Sequence, residues 1–303
     1  MAPSKLIKTL AFIAGVLAFS ILALALLRRP SRPDAPFAGS INTAEKITLQ
    51  VGASSVELIR DSATWTVTAG AGAGPYRADA GKVKTLIGNL KNLRVEDVIS
   101  ERGHAAAEFE INPESATTVT LYRDNKPQAA GVFGKQAPDF NHLYFKFPGQ
   151  PVIYLARGAI RGELGEADLT SWRDRALLNL IEDQVLTIYI EGPGFKTALA
   201  RSSDTWSLNG NVVDAAPVWG LLGQLAHLRA EAFADSTQPP EKLTHASCIV
   251  QLRNGTTRQL RLGRPDPATK RYPAAVDKDP GIAWISEAAA KSILQKPSDF
   301  KSK

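Results

Sequence analysis

Residues 86–96 read LIGNLKNLRVE, and residues 221–231 read LLGQLAHLRAE. Set one above the other, they agree at six of eleven positions: Leu86/Leu221, Gly88/Gly223, Leu90/Leu225, Leu93/Leu228, Arg94/Arg229 and Glu96/Glu231. Chance pairing at ordinary residue frequencies gives about one match. Self-similarity at this distance predicts one supersecondary unit written twice, and that sets the architecture.

Working outward, the agreement continues. Arg60 and Arg201 each stand five residues before a tryptophan, Trp65 or Trp206, and Thr64 and Thr205 directly precede those rings. Asp79 and Asp214 each stand four residues before the first apolar position of the repeat, Val83 or Val218. Downstream, Val119 and Leu121 match Val250 and Leu252, Gly134 matches Gly263, and VIYL at 152–155 resembles IAWI at 282–285.

Each copy has a physical reading. Val83, Leu86, Ile87, Leu90 and Leu93 recur at helical spacing, as do Val218, Leu221, Leu222, Leu225 and Leu228, which predicts one amphipathic helix per copy. Asp79 and Asp214 are its expected N-caps, and Pro217 falls in the first turn, where a missing N–H costs little. Ahead of each helix, residues 47–51, 56–60 and 65–68, and then 186–190, 197–201 and 206–208, alternate apolar with polar as half-buried strands do. After it come 118–122, 130–133, 143–147 and 152–155, matched by 247–252, 258–262 and 283–285. A short closing helix is expected near Arg157 and again near Glu287. Many strands with one main helix per copy give an α+β class with mostly antiparallel sheets.

Residues 10–27, LAFIAGVLAFSILALALL, contain no charge and one polar residue, Ser20. As a helix they would span ~27 Å, against ~30 Å for a bilayer's hydrocarbon core. A cleaved signal peptide, with Ala23-Leu24-Ala25 as its cleavage site, is the rival, but its apolar region is usually only ~7–15 residues. The expectation is an uncleaved N-terminal transmembrane helix. After it, Pro30, Pro33 and Pro36 favour extended backbone and a stiff tether. The expected organisation is therefore anchor 1–28, Pro-rich tether 29–40, first module 41–180 and second module 181–300.

The formal charge of +6 sits at the N-terminus. Five of the 36 basic residues (Lys5, Lys8, Arg28, Arg29, Arg32) precede the first acidic residue, Asp34, which leaves 31 basic against 30 acidic beyond them. The surplus that a nucleic-acid surface needs is missing, so no nucleic-acid partner is expected. Cys248, the single cysteine, can form no intramolecular disulfide and lies in an alternating apolar run, as a buried thiol does.

An N-terminal span, a strand–Trp–strand start, an L-x-x-L helix ending near Arg-x-Glu, and WRDRALL at 172–178 between the copies together resemble the domain of unknown function family numbered 4340. The residues that carry the resemblance are 10–27, Trp65, 90–96, 172–178 and Trp206. It implies a bacterial protein anchored in the inner membrane, with its bulk in the periplasm. It also implies association with ABC transporters of the gliding-motility type, with a permease or auxiliary subunit as partner. It brings no catalytic residue.

The chain holds no phosphate loop of the G-x-x-x-x-G-K-[ST] form, no H-E-x-x-H and no G-x-S-x-G. His104, His142, His227 and His245 lack ligand spacing, so neither cofactor nor metal is expected. The run Gly70–Pro75 reads as a flexible loop rather than a phosphate cradle. Trp65 and Trp206 read as core; a sugar-stacking role is the alternative. Arg60/Arg201 and Arg94/Arg229 either grip an anion or, as favoured here, pair with carboxylates of their own module, Glu96 and Glu231 being close by. Trp172, Arg173, Asp174 and Arg175, at the joint, form the candidate interaction site. They fit an inter-module clasp, with Asp174 bridging to an arginine, as well as a docking patch.

Three functions follow: a non-enzymatic accessory or scaffold of a transport system; an envelope hydrolase acting on glycan or lipid-linked substrate; and a small-molecule-binding module with its site between the repeats.

Overall fold

The computed structural model describes residues 34–69, 74–102, 106–158, 161–164, 167–234, 243–277 and 281–300. The expected transmembrane helix at 10–27, most of the glycine-rich run and His104 lie outside them. Among the described residues, no helix is long and apolar enough to cross a membrane.

In the first module β1 (Lys46–Val51), β2 (Ser54–Asp61), β3 (Thr64–Ala69) and β4 (Tyr76–Arg77) lead into helix α1 (Ala80–Asn92). There follow β5 (Arg94–Ser100), β6 (Thr117–Arg123), β7 (Lys126–Gln136), β8 (His142–Lys146), β9 (Ile153–Arg157) and a single helical turn, α2 (Leu169–Trp172). The second module has β10 (Val185–Gly192), β11 (Phe195–Ser202), β12 (Thr205–Leu208) and β13 (Asn211–Val212) before α3 (Ala215–Ala226). It continues with β14 (Ala232–Phe233), β15 (Ala246–Leu252), β16 (Thr257–Leu262), β17 (Tyr272–Val276), β18 (Ala283–Ile285) and α4 (Glu287–Ile293).

Each module is one nine-stranded antiparallel sheet. The first runs β4-β3-β2-β1-β6-β7-β8-β9-β5, and the second runs β13-β12-β11-β10-β15-β16-β17-β18-β14. Raising each strand number of the first order by nine reproduces the second, so the duplication read from one helix extends through the whole topology.

The two main helices begin where their aspartates direct. Asp79 accepts the Lys82 N–H at 3.0 Å and Asp214 accepts the Ala216 N–H at 3.0 Å. Val83, Leu86 and Leu90 of α1, and Val218, Leu221, Leu222 and Leu225 of α3, are buried in the cores of their own sheets. Each large aliphatic side chain so removed from water contributes about 1.5–3 kcal/mol.

The register explains the Arg–Trp spacing. Arg60 stands opposite Trp65 across the β2–β3 hairpin, and Arg201 stands opposite Trp206 across β11–β12. Neither arginine pairs mainly with a carboxylate. Arg60 donates to the Asn42 carbonyl at 3.2 Å, and Arg201 donates to the Asp183 carbonyl at 3.4 Å. Those carbonyls belong to the equivalent 3-10 turns Ile41–Thr43 and Glu182–Gln184. The repeated guanidinium thus ties a hairpin to the turn that opens its own module. Arg201 also approaches Asp204, at 3.7 Å, but that carboxylate is fully exposed.

The modules begin earlier than 41 and 181. The Val95 N–H donates to the Asp34 carbonyl at 2.7 Å, and the Ala230 N–H, at the matching position, donates to the Arg175 carbonyl at 2.8 Å. Three residues on in each case, Phe37 and Leu178 are fully buried. Phe37 stacks on Phe133 with ring centres 5.9 Å apart. The last part of the expected tether, 34–40, is therefore folded chain. Burial of its aromatic residue outweighs the extended, solvated backbone that the prolines favour.

Near Arg157, where a closing helix is expected, the chain forms a 3-10 turn, Arg161–Glu163. Arg157 itself ends β9, paired with His142 on one side and Arg94 on the other, and a further helical turn follows at α2. In the second module α4 starts at Glu287 as expected, capped by Ser286, which accepts the Ala289 N–H at 3.2 Å.

Candidate functional site

Trp172 to Arg175 occupy the joint. The chain crosses it as extended backbone, hydrogen-bonded first to one module and then to the other. Arg173 forms a bridge with Ala78, just beyond β4, flanked by bonds from the Asp79 N–H to the Trp172 carbonyl and from the Asp174 N–H to the Arg77 carbonyl, both 2.8 Å. Ala176 then bridges Arg229, just before β14, and the Leu177 N–H donates to the Leu228 carbonyl at 3.0 Å. The crossing thus links the β4 edge of the first sheet to the β14 end of the second.

The side chains divide the work. Trp172 is buried in the first core. The Arg173 guanidinium lies between two rings, 3.8 Å from the centre of Tyr76 and 3.6 Å from that of Phe233, one from each module. Its planar, weakly hydrated cation suits stacking on both faces, which an ammonium would not. Asp174 Oδ2 lies 2.8 Å from Arg77 Nε, and Asp174 Oδ1 accepts the Ala176 N–H at 2.8 Å. Arg77 also donates to the Ala176 carbonyl. Arg175 is exposed and donates to the Glu231 carbonyl at 3.3 Å. The clasp reading of the four residues matches these contacts. Of the four, Trp172 and Arg173 are buried, Asp174 is half-buried and Arg175 is exposed.

Beside the clasp is a cavity of about 180 Å³. Arg77, Arg173, Asp174, Arg258 and Asp277 are among the residues that line it. Arg258 Nη1 lies 3.0 Å from Asp277 Oδ2. Asp277 also accepts the Gln259 N–H at 2.7 Å, while its carbonyl accepts from Arg261 at 3.1 Å. Arg258 Nε is buried, with no hydrogen-bond partner among the described residues. Tyr76, Arg77, Phe233, Arg258 and Asp277 were not visible as site residues in the sequence, since they come from four places far apart in the chain: β4, β14, β16 and the end of β17. Only WRDR, contiguous and rich in Trp and Arg, carried a signal.

A second polar cluster lies at the far edge of the first sheet. His142, on β8, has Nδ1 2.5 Å from Asp139 Oδ2 and Nε2 3.0 Å from Glu96 Oε2, and Glu96 Oε1 accepts from Arg157 Nε at 2.7 Å. The Asp139 carboxylate, and then Glu96, hold the His142 pKa above its ordinary value. Arg157 first and His142 second lower that of Glu96. The sequence had assigned Glu96 to Arg94, two residues away. Arg94 donates instead to the carbonyls of Lys91 and Leu93 at the end of α1. The second module has Glu231 at the place of Glu96 but no histidine beside it on β17. These side chains line neither the joint cavity nor the open hollow near Arg161. No group of three or more metal-ligating side chains is placed to hold an ion among the described residues. His227 is exposed at the end of α3, and Cys248 is buried.

Residues 65–247, more than half of the chain, match the family model described as Domain of unknown function (DUF4340). No curated protein and no solved structure matches the chain.

Proposed function

The chain belongs to the DUF4340 family, and from that premise we propose that it is a non-enzymatic, membrane-anchored extracytoplasmic scaffold or accessory protein of an ABC-type transport system. In this reading residues 10–27 hold it in a bacterial inner membrane and the two modules project into the periplasm. The observation that carries the scaffold part is the joint. A linker paired to both modules, with Arg173 wedged between Tyr76 and Phe233, couples two sheets into one arm. Hinged ligand-closing proteins need a joint that opens; a stacked and hydrogen-bonded joint suits a spacer or docking arm. The transporter part rests on the association that the resemblance implies and on the anchor sequence.

The test is affinity purification of the tagged full chain from detergent-solubilised native membranes. The expected result is recovery of an ABC permease or its auxiliary extracytoplasmic subunit in fixed stoichiometry. Folded, membrane-bound protein that brings down neither would count decisively against the transporter reading.

A further inference from the structure

Strand β5 ends the first sheet, and among the described residues no strand lies beyond it. Its edge carries two apolar side chains into water, Val98 at 49% and Ile99 at 40% exposure. Asp97 beside them is exposed, and its carboxylate has no ion-pair partner among the described residues. One hydrogen bond reaches this edge from outside the sheet, the Val95 N–H donating to the Asp34 carbonyl at 2.7 Å. The chain therefore enters the first module along β5.

The second module holds its own entering segment at the same place. Arg175, whose carbonyl accepts from Ala230 at 2.8 Å, stands where Asp34 stands, and two residues before it the Arg173 guanidinium lies 3.6 Å from the ring centre of Phe233. Counted from those matching bonds, Arg173 corresponds to Arg32 and Phe233 to Val98. Residues 28–33 read RRPSRP, three arginines and no acid. Followed back antiparallel from Asp34 and Val95, Arg32 comes opposite Asp97 and Ser31 opposite Val98. Opposite charges facing across two strands attract. Pro30 and Pro33 cannot donate to a ladder, but an outermost strand tolerates proline. Strand β5 also meets β9 with two irregularities, and a bulged edge does not template a long new strand. That favours a short segment of this chain over a strand from a second copy.

We propose that residues 31–33 dock along the outer edge of β5, with Arg32 beside Asp97 and the tether backbone over Val98 and Ile99. The docking itself does not depend on the membrane reading; its consequence for the arm rests on it. Undocked, residues 28–33 would allow ~20 Å between the apolar run and the first module, whereas docking leaves only Arg28, Arg29 and Pro30, about 10 Å of chain. The strap thus sets which edge of the arm faces the bilayer and how far the arm stands from it.

The experiment is disulfide trapping in the full chain purified in detergent, with hydrogen exchange as the second measurement. Ser31→Cys with Val98→Cys should close an intrachain disulfide at least about tenfold faster than Ser31→Cys with Lys126→Cys, an exposed position three strands away. Cys248 is buried and takes no part. Adding Asp97→Arg to the first pair should slow closure, and adding Arg32→Asp to that should restore it. In the chain without introduced cysteines, Arg32→Glu should speed exchange of the backbone amides of residues 95–100 about tenfold. Equal closure by both pairs, disulfides that link two copies, or β5 amides indifferent to Arg32→Glu would each overturn the proposal. Membrane fractionation of the same material tests the anchor separately. A trapped disulfide in a chain that does not sediment with membranes would keep the docking and remove the anchor, and an anchored chain with no trapped disulfide would do the reverse.

Discussion

The Arg173 guanidinium stands 3.6 Å from the ring centre of Phe233 while its other face meets Tyr76 at 3.8 Å, so one cation is shared by aromatic rings of two modules. The residue is only 6% exposed, and a charge buried this far is retained only where the contacts around it replace hydration. Two desolvated cation–π contacts are worth about 2 kcal/mol each.

Arg173→Ala should therefore destabilise the chain by about 2–4 kcal/mol and, more tellingly, separate one cooperative unfolding transition into two, because it removes the contact that couples the modules. Arg173→Lys should recover little, since a compact ammonium cannot stack on both rings. Gly281→Ala should reproduce the defect without touching a charge, because a Cβ there would collide with the Arg173 guanidinium and press on Tyr76. Calorimetry separates the cases; a single sharp transition in all three variants would remove the clasp from the account of stability.

How much of this could be read beforehand follows from how local each signal is. The helices and the Asp79 and Asp214 caps were legible because their apolar stripes and capping aspartates lie within a few residues. So were the strands that carry the Arg–Trp spacing, although their pairing and the partner of each arginine were not, because the Asn42 and Asp183 carbonyls are brought near by the fold. Strand β5 was hidden: Arg94 and Glu96 follow a strong helical repeat and read as its charged end, and the strand is mostly exposed on both faces. Strand β17 was hidden by Pro273, a residue that argues against a central strand. Within the joint, Trp172–Arg175 stood out by composition, whereas Tyr76, Phe233, Arg258 and Asp277 converge on it from distant strands.

The His142 cluster predicts a bell-shaped dependence of stability on pH. The His142 pKa is raised in the folded chain, so its contribution is full below the unfolded value of about 6.5 and fades as pH rises through the folded one. The pKa values of Glu96 and Asp139 are lowered, so their contribution is full above the unfolded carboxylate range near 4 and fades as pH falls through the folded values. The maximum contribution lies between, around pH 5 to 6.5. His142→Gln should flatten the alkaline limb and leave the far-alkaline stability nearly unchanged; urea midpoints across pH 4–9 give the comparison.

Cys248 should be inert in the folded chain. It is buried in the second core on β15, and burial pushes its thiol pKa up to about 12, so almost no thiolate exists at neutral pH. A thiol-labelling reagent should react with the protein only after denaturant is added. Rapid stoichiometric labelling under native conditions would mean that the second sheet opens locally far more often than its packing implies.

The two repeat tryptophans should differ in weight despite their equivalent places. Trp206 is 1% exposed and meets the edge of Trp219 at 6.5 Å, ring planes at 85°, whereas Trp65 is only half-buried. The main helices differ at one matching position: five residues after the capping aspartate, α3 carries Trp219 and α1 carries Lys84. Trp219 gives Trp206 an aromatic partner on the helix, which the lysine at the matching place of α1 does not offer. Trp206→Ala should then cost about 3–5 kcal/mol as a fully buried aromatic, and Trp65→Ala about 1–3 kcal/mol. Trp219→Lys, which gives the second module the first module's residue, should lower the cost of a subsequent Trp206→Ala toward that of Trp65→Ala, because the two rings are coupled. Circular dichroism in denaturant is the suitable readout, since each substitution removes a fluorophore. Additive costs for Trp206→Ala and Trp219→Lys would mean that the ring pair is not what distinguishes the modules.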